Sequence, residues 1–235
     1  MITTVLFDLD GTLLPMDQEA FTRGYFKLLA AKLAPHGYEP KQLVEAIWTG
    51  TEAMVRNDGS RTNEAAFWDK FASIYGEKAK ADEPLFVDFY ANEFNQAQSI
   101  CGHDPRAAEV VHSLQNRGYR VVLATNPIFP HIATENRIRW AGLEPDDFAL
   151  ITTYENSTYC KPNPAYYREI LERLGLKAEE CLMVGNDVVE DGAAQKLGIP
   201  VFFLTPCLIN TQGKDISAIP RGGFDELAAY LDQLN

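Results

Sequence analysis

The sequence lacks the long apolar runs that a membrane-inserted chain needs. None of its 235 residues lies in an uninterrupted apolar stretch of about 18 residues, the length that spans a bilayer as a helix. Residues 1–4 carry no lysine or arginine, and the apolar run that follows is interrupted at Asp8. We therefore expect no secretory signal, no membrane partner and a cytoplasmic location.

Cysteine and basic charge are also scarce. The four cysteines are far apart and form no CxxC pair, which favours free thiols over disulfide bonds. Lysine and arginine number 21 against 33 aspartates and glutamates, giving a formal net charge of −12 with no block of basic residues. Because such a chain repels phosphate backbones, nucleic acid is not an expected partner.

Short apolar, β-prone runs alternate with amphipathic helical patterns along most of the chain. The runs and helical patterns predict a Rossmann-like, doubly wound parallel sheet with helices on both faces, an α/β fold. The predicted strands are residues 4–9, 120–125, 149–152, 181–184 and 200–204. The predicted helices that cover the sheet are residues 105–116, 164–174 and 191–197.

One connection is far longer than a strand-to-helix crossover requires. Residues 15–101 contain four amphipathic helical patterns rich in aromatic residues, which predict a small α-helical bundle inserted as a cap domain. Residues 1–14 and 102–235 would then form the α/β core domain. We interpret the aromatic stripes as the packing core of the bundle rather than as substrate contacts. The stripes are Phe21/Tyr25/Leu28/Leu29, Leu43/Val44/Ile47/Trp48, Phe67/Phe71/Ile74/Tyr75 and Phe86/Phe89/Tyr90/Phe94.

Polar residues follow the predicted strands at the edge where an open parallel sheet binds its ligands. Several converging carboxylates repel each other unless a cation lies among them, and Mg²⁺ prefers such oxygen ligands. A lysine and a hydroxyl suit the oxygens of a phosphoryl group, and a carboxylate can attack phosphorus. This set of groups predicts phosphoryl transfer. The residues are Asp8, Asp10, Thr125, Asn126, Lys161, Asn186, Asp187 and Asp191.

The segment Asp8-Leu9-Asp10-Gly11-Thr12 resembles the first motif of the haloacid dehalogenase superfamily, whose phosphatase members carry Asp-x-Asp-Gly-Thr. The later pieces follow in the family's order over essentially the whole chain, including a helical cap after the first motif. The resemblance implies a Mg²⁺-dependent phosphatase that hydrolyses a small phosphate monoester through an aspartyl-phosphate. Its partner would be a small phosphorylated metabolite, and the enzyme would be a monomer or a dimer.

The resemblance also implies a role for each motif residue. Asp8 would be the nucleophile and a Mg²⁺ ligand, and Asp10 the general acid and then base, with its backbone carbonyl on the metal. Asp187 would complete the metal shell, while Asp191 would orient Lys161 or a metal-bound water. The remaining assignments concern the transferred phosphoryl group, which would be held by Gly11, Thr12, Thr125, Asn126 and Lys161.

The fourth motif departs from the family pattern. Members commonly have aspartate directly after its glycine, whereas Asn186 stands there in this chain and Asp187 follows. An asparagine carbonyl can bind Mg²⁺ without supplying charge, so Asn186 is the alternative to Asp187 as metal ligand. We place Asp187 in the metal shell and Asn186 in support.

Other functions stay open on the sequence alone. A sugar-phosphate mutase would use the same two aspartates, and a phosphate-binding module would need no turnover. Dehalogenase chemistry is disfavoured, since the members that perform it lack the second aspartate of the first motif. In the family, the loop between the second and third cap helices often faces the active site. We therefore expect Arg56 and Arg61 to select the substrate, the alternative being a solvated turn.

Overall fold

The computed structural model describes residues 1–233. Within these residues the strands are β1 (Thr4–Phe7), β2 (Arg120–Leu123), β3 (Cys181–Gly185), β4 (Val201–Leu204) and β5 (Arg221–Gly222). They form one parallel sheet in the order β2-β1-β3-β4-β5.

Helices connect and cover these strands. The α-helices are α1 (Gln18–Leu33), α2 (Pro40–Val55), α3 (Asn63–Tyr75), α4 (Glu77–Ala81), α5 (Glu83–Ala91), α6 (Pro105–Asn116), α7 (His131–Trp140), α8 (Pro164–Leu174) and α9 (Phe224–Gln233). The 3₁₀ helices are Ala34–His36, Glu93–Ile100, Pro145–Asp147, Ala178–Glu180 and Asp191–Leu197.

Several helices begin where the sequence supplies capping groups. The carboxylate of Asp104 accepts a backbone N–H at the start of α6, and proline occupies the first turn there. Asn163 and Pro164 serve α8 in the same way, while Gly175 ends it in a left-handed conformation. Side-chain caps and first-turn prolines satisfy or remove backbone donors that a helix start leaves unpaired.

Both faces of the sheet are covered, as an α/β sheet requires. Alternate residues of β1 belong to two separate hydrophobic clusters. Val5 and Phe7 pack in the cluster that includes α6, α9 and the inserted helices. Leu6 packs in the other cluster, with Tyr166 and Tyr167 of α8. The predicted Rossmann-like, doubly wound fold with an inserted α-helical bundle is confirmed.

The order of the strands places a topological switch point at β1. The chain leaves β1 for β2 on one side, and after β2 it crosses to β3 on the other side. The loops after these three strands therefore diverge and leave a crevice at the carboxyl edge of the sheet, the usual ligand site of such folds.

Two details of the strand prediction are wrong. Residues 149–152 make hydrogen bonds to β2 but form only an isolated bridge, between Leu123 and Ile151. The chain turns away directly afterwards, because the amide of Asn156 donates to the Ile151 carbonyl and its side-chain oxygen accepts from the Thr153 N–H. The two-residue β5 is too short to leave an apolar pattern in the sequence.

Helices α1 to α5 and the 3₁₀ helix Glu93–Ile100, here called the helical insertion, lie at the carboxyl edge of the sheet. The two chain crossings lie side by side, since the Gly102 N–H donates to the Pro15 carbonyl at 2.7 Å. The fourth predicted helix is interrupted at Asn92, whose backbone is not helical, so Phe94 lies in the 3₁₀ helix. The exact division into a cap and a core at residues 15 and 101 stays a prediction.

The start of α3 attaches the helical insertion to the loop that follows residue 152. The Asn63 and Glu64 N–H groups donate to the carbonyls of Ser157 and Tyr154 at 2.9 and 2.8 Å. The Asn63 side chain is fully buried, and its amide donates to the carbonyl of Pro127 at 3.2 Å. These bonds fix the position of the helical insertion above the strand ends.

The cysteine prediction is confirmed, since all four cysteines are free thiols. Among the described residues, no helix combines the length and apolar character that a bilayer crossing demands.

Candidate active site

Asp8 lies at the first position after β1 and is almost completely buried. Its Oδ1 accepts a hydrogen bond from Lys161 Nζ at 2.9 Å. The hydroxyl of Thr12 lies 3.0 Å from its Oδ2. An unpaired carboxylate inside an apolar strand end would be costly, and these two partners hold Asp8 in one orientation.

Lys161 joins the loop before α8 to the ends of β1 and β3. Its side chain is fully buried, and its ammonium also donates to Asp191 Oδ1 at 2.7 Å. Burial acts to lower the pKa of Lys161, but the carboxylates of Asp191 and Asp8 raise it well above its ordinary value. The predicted contact between Lys161 and Asp191 is thus present, and the lysine carries its positive charge at neutral pH.

Asp191 links the lysine to the backbone after β3. Its Oδ2 accepts the N–H groups of Asn186 and Asp187, each at 2.9 Å. Burial raises the pKa of Asp191 to about 6, and the charge of Lys161 opposes that rise. Asp191 is therefore an ionised positioning group between a fixed backbone turn and the lysine.

Two glycines permit this close packing. A Cβ on Gly185 would lie 2.1 Å from Asp191 Oδ2, and one on Gly11 would lie 2.3 Å from Asn186 Nδ2. Gly11 also has a φ of +87°, in the left-handed region that side chains disfavour. Gly11 is thus part of the turn that brings the first and fourth motifs together, and its contact with the phosphoryl group stays a prediction.

Asp10 has a partner that the sequence analysis did not find. The guanidinium of Arg137, in α7, is buried and makes an ion pair with Asp10 Oδ2. The same guanidinium lies over the ring of Phe129, 4.3 Å from its centre. No pattern in the sequence distinguishes Arg137 from Arg139, which is two positions away and exposed.

The second oxygen of the Asp10 carboxylate is buried and has no hydrogen-bond partner among the described residues. Burial raises the pKa of Asp10 above its ordinary value, although the Arg137 guanidinium acts in the opposite direction. The neighbouring Asp8 charge adds to the rise. A raised pKa lies closer to neutral pH, where a carboxyl group can both donate and accept a proton during catalysis.

The loop after β2 lies on the other side of Asp8. Thr125 is buried and lines the same cavity as Asp8. Asn126 accepts the Lys161 N–H at 3.2 Å and donates to both carboxylate oxygens of Glu190 at 3.1 Å. Burial raises the pKa of Glu190 to about 8, against the effect of Lys161. Glu190 was also missed, because it stands beside the more easily identified Asp191.

Asn186 and Asp187 have different surroundings. Asn186 is buried, and its Oδ1 lies 3.2 Å from the Thr12 hydroxyl that contacts Asp8. Asp187 is partly exposed, and its Oδ1 accepts the N–H groups of Val189 and Glu190 at 2.7 and 2.9 Å. Both residues line the cavity, and the choice of Asp187 as metal ligand stays a prediction.

The donor groups fit a hard divalent cation. Five carboxylates line the cavity, whereas Lys161 and Arg137 supply two positive charges directly behind them. In residues 1–233 no three acidic, histidine or cysteine side chains form a ready metal cage. Mg²⁺ usually takes only one or two carboxylates and completes its shell with other oxygens. The carboxylates are Asp8, Asp10, Asp187, Glu190 and Asp191.

A cavity of about 380 Å³ extends from these carboxylates into the helical insertion. Aromatic residues that were interpreted as bundle core, such as Phe21, Phe67 and Phe86, line it. These residues are also buried in the hydrophobic core, so the packing interpretation holds for them, while α1, α2, α3 and α5 contribute residues to the cavity lining as well.

The hypothesis that Arg56 and Arg61 select the substrate stays a prediction, and the structure favours the alternative of a solvated turn. Arg56 pairs with Glu52 and Arg61 with Asp69, each at 2.6 Å on the surface. Neither arginine is among the described residues that line the cavity. The loop that carries them ends at the start of α3. The hydrogen bonds that attach α3 to the core therefore determine where this loop lies.

Comparisons with known proteins agree with the motif order. A model of the haloacid dehalogenase-like hydrolases matches residues 2–198. Pyrophosphatase PpaX from Bacillus cereus is 26% identical over 186 residues, covering 79% of this chain and 75% of the relative. A ribulose-1,5-bisphosphate 5-phosphatase from Halopiger xanaduensis is 26% identical over 215 residues, covering 88% and 86%. The solved 2-haloacid dehalogenase of Pseudomonas syringae shares the fold, with a TM-score of 0.65, 23% identity and 100% of each chain covered.

Because Arg137 and Asp10 form a buried ion pair, we predict that their contributions to the free energy of unfolding are strongly coupled. Arg137→Met should lower the free energy of unfolding by about 3–5 kcal/mol, because Asp10 loses its counter-charge. Adding Asp10→Asn should recover part of that loss. Urea unfolding of the wild type, both single variants and the double variant measures the coupling.

Arg139→Met serves as the control on the same helix. Its ion pairs are exposed, so it should cost less than about 1 kcal/mol. Additive effects of Arg137→Met and Asp10→Asn, or equal losses for Arg137→Met and Arg139→Met, would contradict the assigned pair.

Proposed function

The chain belongs to the haloacid dehalogenase-like hydrolases, and we propose that it is a Mg²⁺-dependent phosphatase of small phosphate monoesters that works through an aspartyl-phosphate. The observation that carries the proposal is the buried contact of Lys161 Nζ with Asp8 Oδ1 at 2.9 Å, beside a second carboxyl group at Asp10. The names of the pyrophosphatase and the bisphosphate phosphatase among its relatives also support phosphoryl chemistry.

Asp8 is the proposed nucleophile. Lys161 and the Thr12 hydroxyl hold its two carboxylate oxygens in place. Because the carboxylate is already oriented, it loses little conformational freedom when it attacks phosphorus. A bond forms between an Asp8 oxygen and phosphorus while the bond from phosphorus to the ester oxygen breaks. The positive charge of Lys161 stabilises the negative charge on the phosphoryl oxygens during this exchange.

Asp10 is the proposed proton donor and acceptor. The departing alkoxide takes a proton from Asp10, whose raised pKa favours the protonated form. Asp10, now ionised, then accepts a proton from the water that attacks phosphorus, and Asp8 leaves as a carboxylate. Arg137 holds the Asp10 side chain by one oxygen and stabilises its ionised form between the two steps.

Mg²⁺ would be held by Asp8, by the backbone carbonyl of Asp10 and by Asp187, as the family motif implies. It supplies positive charge that offsets the charge of the phosphoryl group and the surplus of carboxylates. Thr125 and Asn126, which line the cavity, would contact the phosphoryl group together with Lys161.

The direct test is phosphate release from p-nitrophenyl phosphate. We expect the activity to stop with EDTA and to return with MgCl₂. Asp8→Asn should reduce turnover by more than about 10⁴-fold, because an amide does not attack phosphorus. Asp146→Asn, a change of an exposed aspartate, should leave turnover unchanged. Asp8→Asn turnover within tenfold of the wild type would contradict the proposal.

Asp10→Asn should discriminate between leaving groups. A positioned acid contributes about 10²–10⁴-fold when the leaving group needs a proton. The variant should therefore lose much more kcat on propyl phosphate than on p-nitrophenyl phosphate, whose leaving group is stable without protonation. Circular dichroism checks that the variant is folded. Equal losses on the two esters would show that Asp10 acts only through structure.

The metal assignment is tested by the Mg²⁺ concentration that gives half-maximal activity. Asp187→Asn keeps an oxygen for the Val189 and Glu190 N–H groups but removes the charge, so it should raise that concentration about tenfold or more. Asn186→Ala should raise it less. The reverse ranking would assign the ligand role to Asn186, and unchanged values in both would exclude the two residues.

A further inference from the structure

The helical insertion forms an aromatic wall opposite the carboxylates. Of the described residues, ten aromatic side chains line the cavity, and eight of them belong to the helical insertion. Trp48 packs against Phe26 with ring centres 5.5 Å apart, and Trp68 packs edge-on against Phe67 and Phe86 at 5.3 Å. Such a wall offers a large apolar surface to whatever part of a ligand lies farthest from Asp8.

This end of the cavity carries no positive charge among the described residues that line it. All the charged residues in the lining are acidic, and they lie at the strand ends. Lys161 and Arg137 are behind the carboxylates and are already paired with Asp8 and Asp10. A second anionic group on the substrate would be buried here without a partner, at a large cost.

Several polar groups of the wall are occupied, although Gln18 and Thr22 also line the cavity. The hydroxyls of Tyr25 and Tyr90 are hydrogen-bonded to each other at 2.8 Å, and the Thr51 hydroxyl donates to the Ile47 carbonyl at 2.9 Å. A substrate with many hydroxyls would lose its bonds to water and could replace only some of them, at groups such as Gln18 and Thr22, whereas buried polar groups need partners.

Part of the rim of the cavity is apolar and exposed. Trp48 on α2 and Val87 on α5 are each 53% exposed and line the cavity. Large apolar side chains grouped at the mouth of a pocket indicate a surface that a ligand covers.

We infer that the substrate is a phosphate monoester whose non-phosphate part is uncharged and aromatic, and that this part lies between Trp48, Trp68 and Phe86. The inference rests on the proposed phosphatase activity. On this inference, the substrate of this chain differs from pyrophosphate and from a sugar bisphosphate, because an enzyme that acts on either must hold a second phosphate. The same reasoning disfavours a sugar-phosphate mutase.

Two esters with primary-alcohol leaving groups test the inference. They are 2-phenylethyl phosphate and the phosphate ester of 3-hydroxypropanoate, which differ in the group at the far end of the cavity. We expect kcat/KM for the phenyl ester to be about 10- to 100-fold higher, the effect of burying one phenyl ring. Equal values, or a preference for the carboxylate, would overturn the inference.

Variants locate the preference in the cavity. Trp48→Ala should reduce the ratio of the two kcat/KM values several-fold, and because Trp48 is half exposed the fold should survive. Val55→Ala is the matched control, an exposed apolar residue on the same helix outside the cavity lining, and it should leave the ratio unchanged. A ratio that is the same in Trp48→Ala as in the wild type would overturn the placement of the aromatic group.

Acetyl phosphate, which has no aromatic group, separates this inference from the proposed function. If its hydrolysis depends on Asp8 and the two esters react equally, the phosphatase proposal holds and the aromatic preference is wrong. If neither acetyl phosphate nor either ester is hydrolysed, the proposed function itself is wrong, and the inference falls with it.

Discussion

The candidate site depends on one buried lysine whose charge must be balanced. Lys161 has no exposed side-chain surface, and Asp8 and Asp191 lie within 2.9 Å of its ammonium. Because a buried ammonium without counter-charges is strongly unfavourable, the loop before α8, the end of β1 and the turn after β3 must meet at this point. Gly185 permits the approach of Asp191. The same contact that stabilises the three loops also orients the proposed nucleophile.

A second buried ion pair gives the site its asymmetry. Asp8 is held by a lysine and a hydroxyl, whereas Asp10 is held through one oxygen by Arg137, and its other oxygen is buried without a partner. Two carboxyl groups that are close in sequence therefore lie in different electrostatic surroundings. Such a difference is what allows one carboxylate to attack while the other carries a proton.

Most of the fold and the acidic part of the site could be predicted from the sequence, because strand ends in a parallel sheet converge and the polar residues there stand out against apolar runs. Arg137 could not, since a buried arginine on a helix has the same local pattern as an exposed one. The part that the aromatic stripes play in lining the cavity could not be predicted for a related reason. A helical stripe indicates which side of a helix is apolar, but not whether that side, as at Trp48, meets a core or a ligand cavity.

The most direct test of the account is the chemical identity of residue 8 during turnover. The protein would be mixed with 2-phenylethyl phosphate and Mg²⁺, treated at once with sodium borohydride, digested and analysed by mass spectrometry. An acyl phosphate is reduced to an alcohol, whereas a free carboxylate is not. The account predicts homoserine in place of Asp8 only when the phosphate ester is present. Rapid phosphate release without that product, or with reduction at another carboxylate, would contradict it.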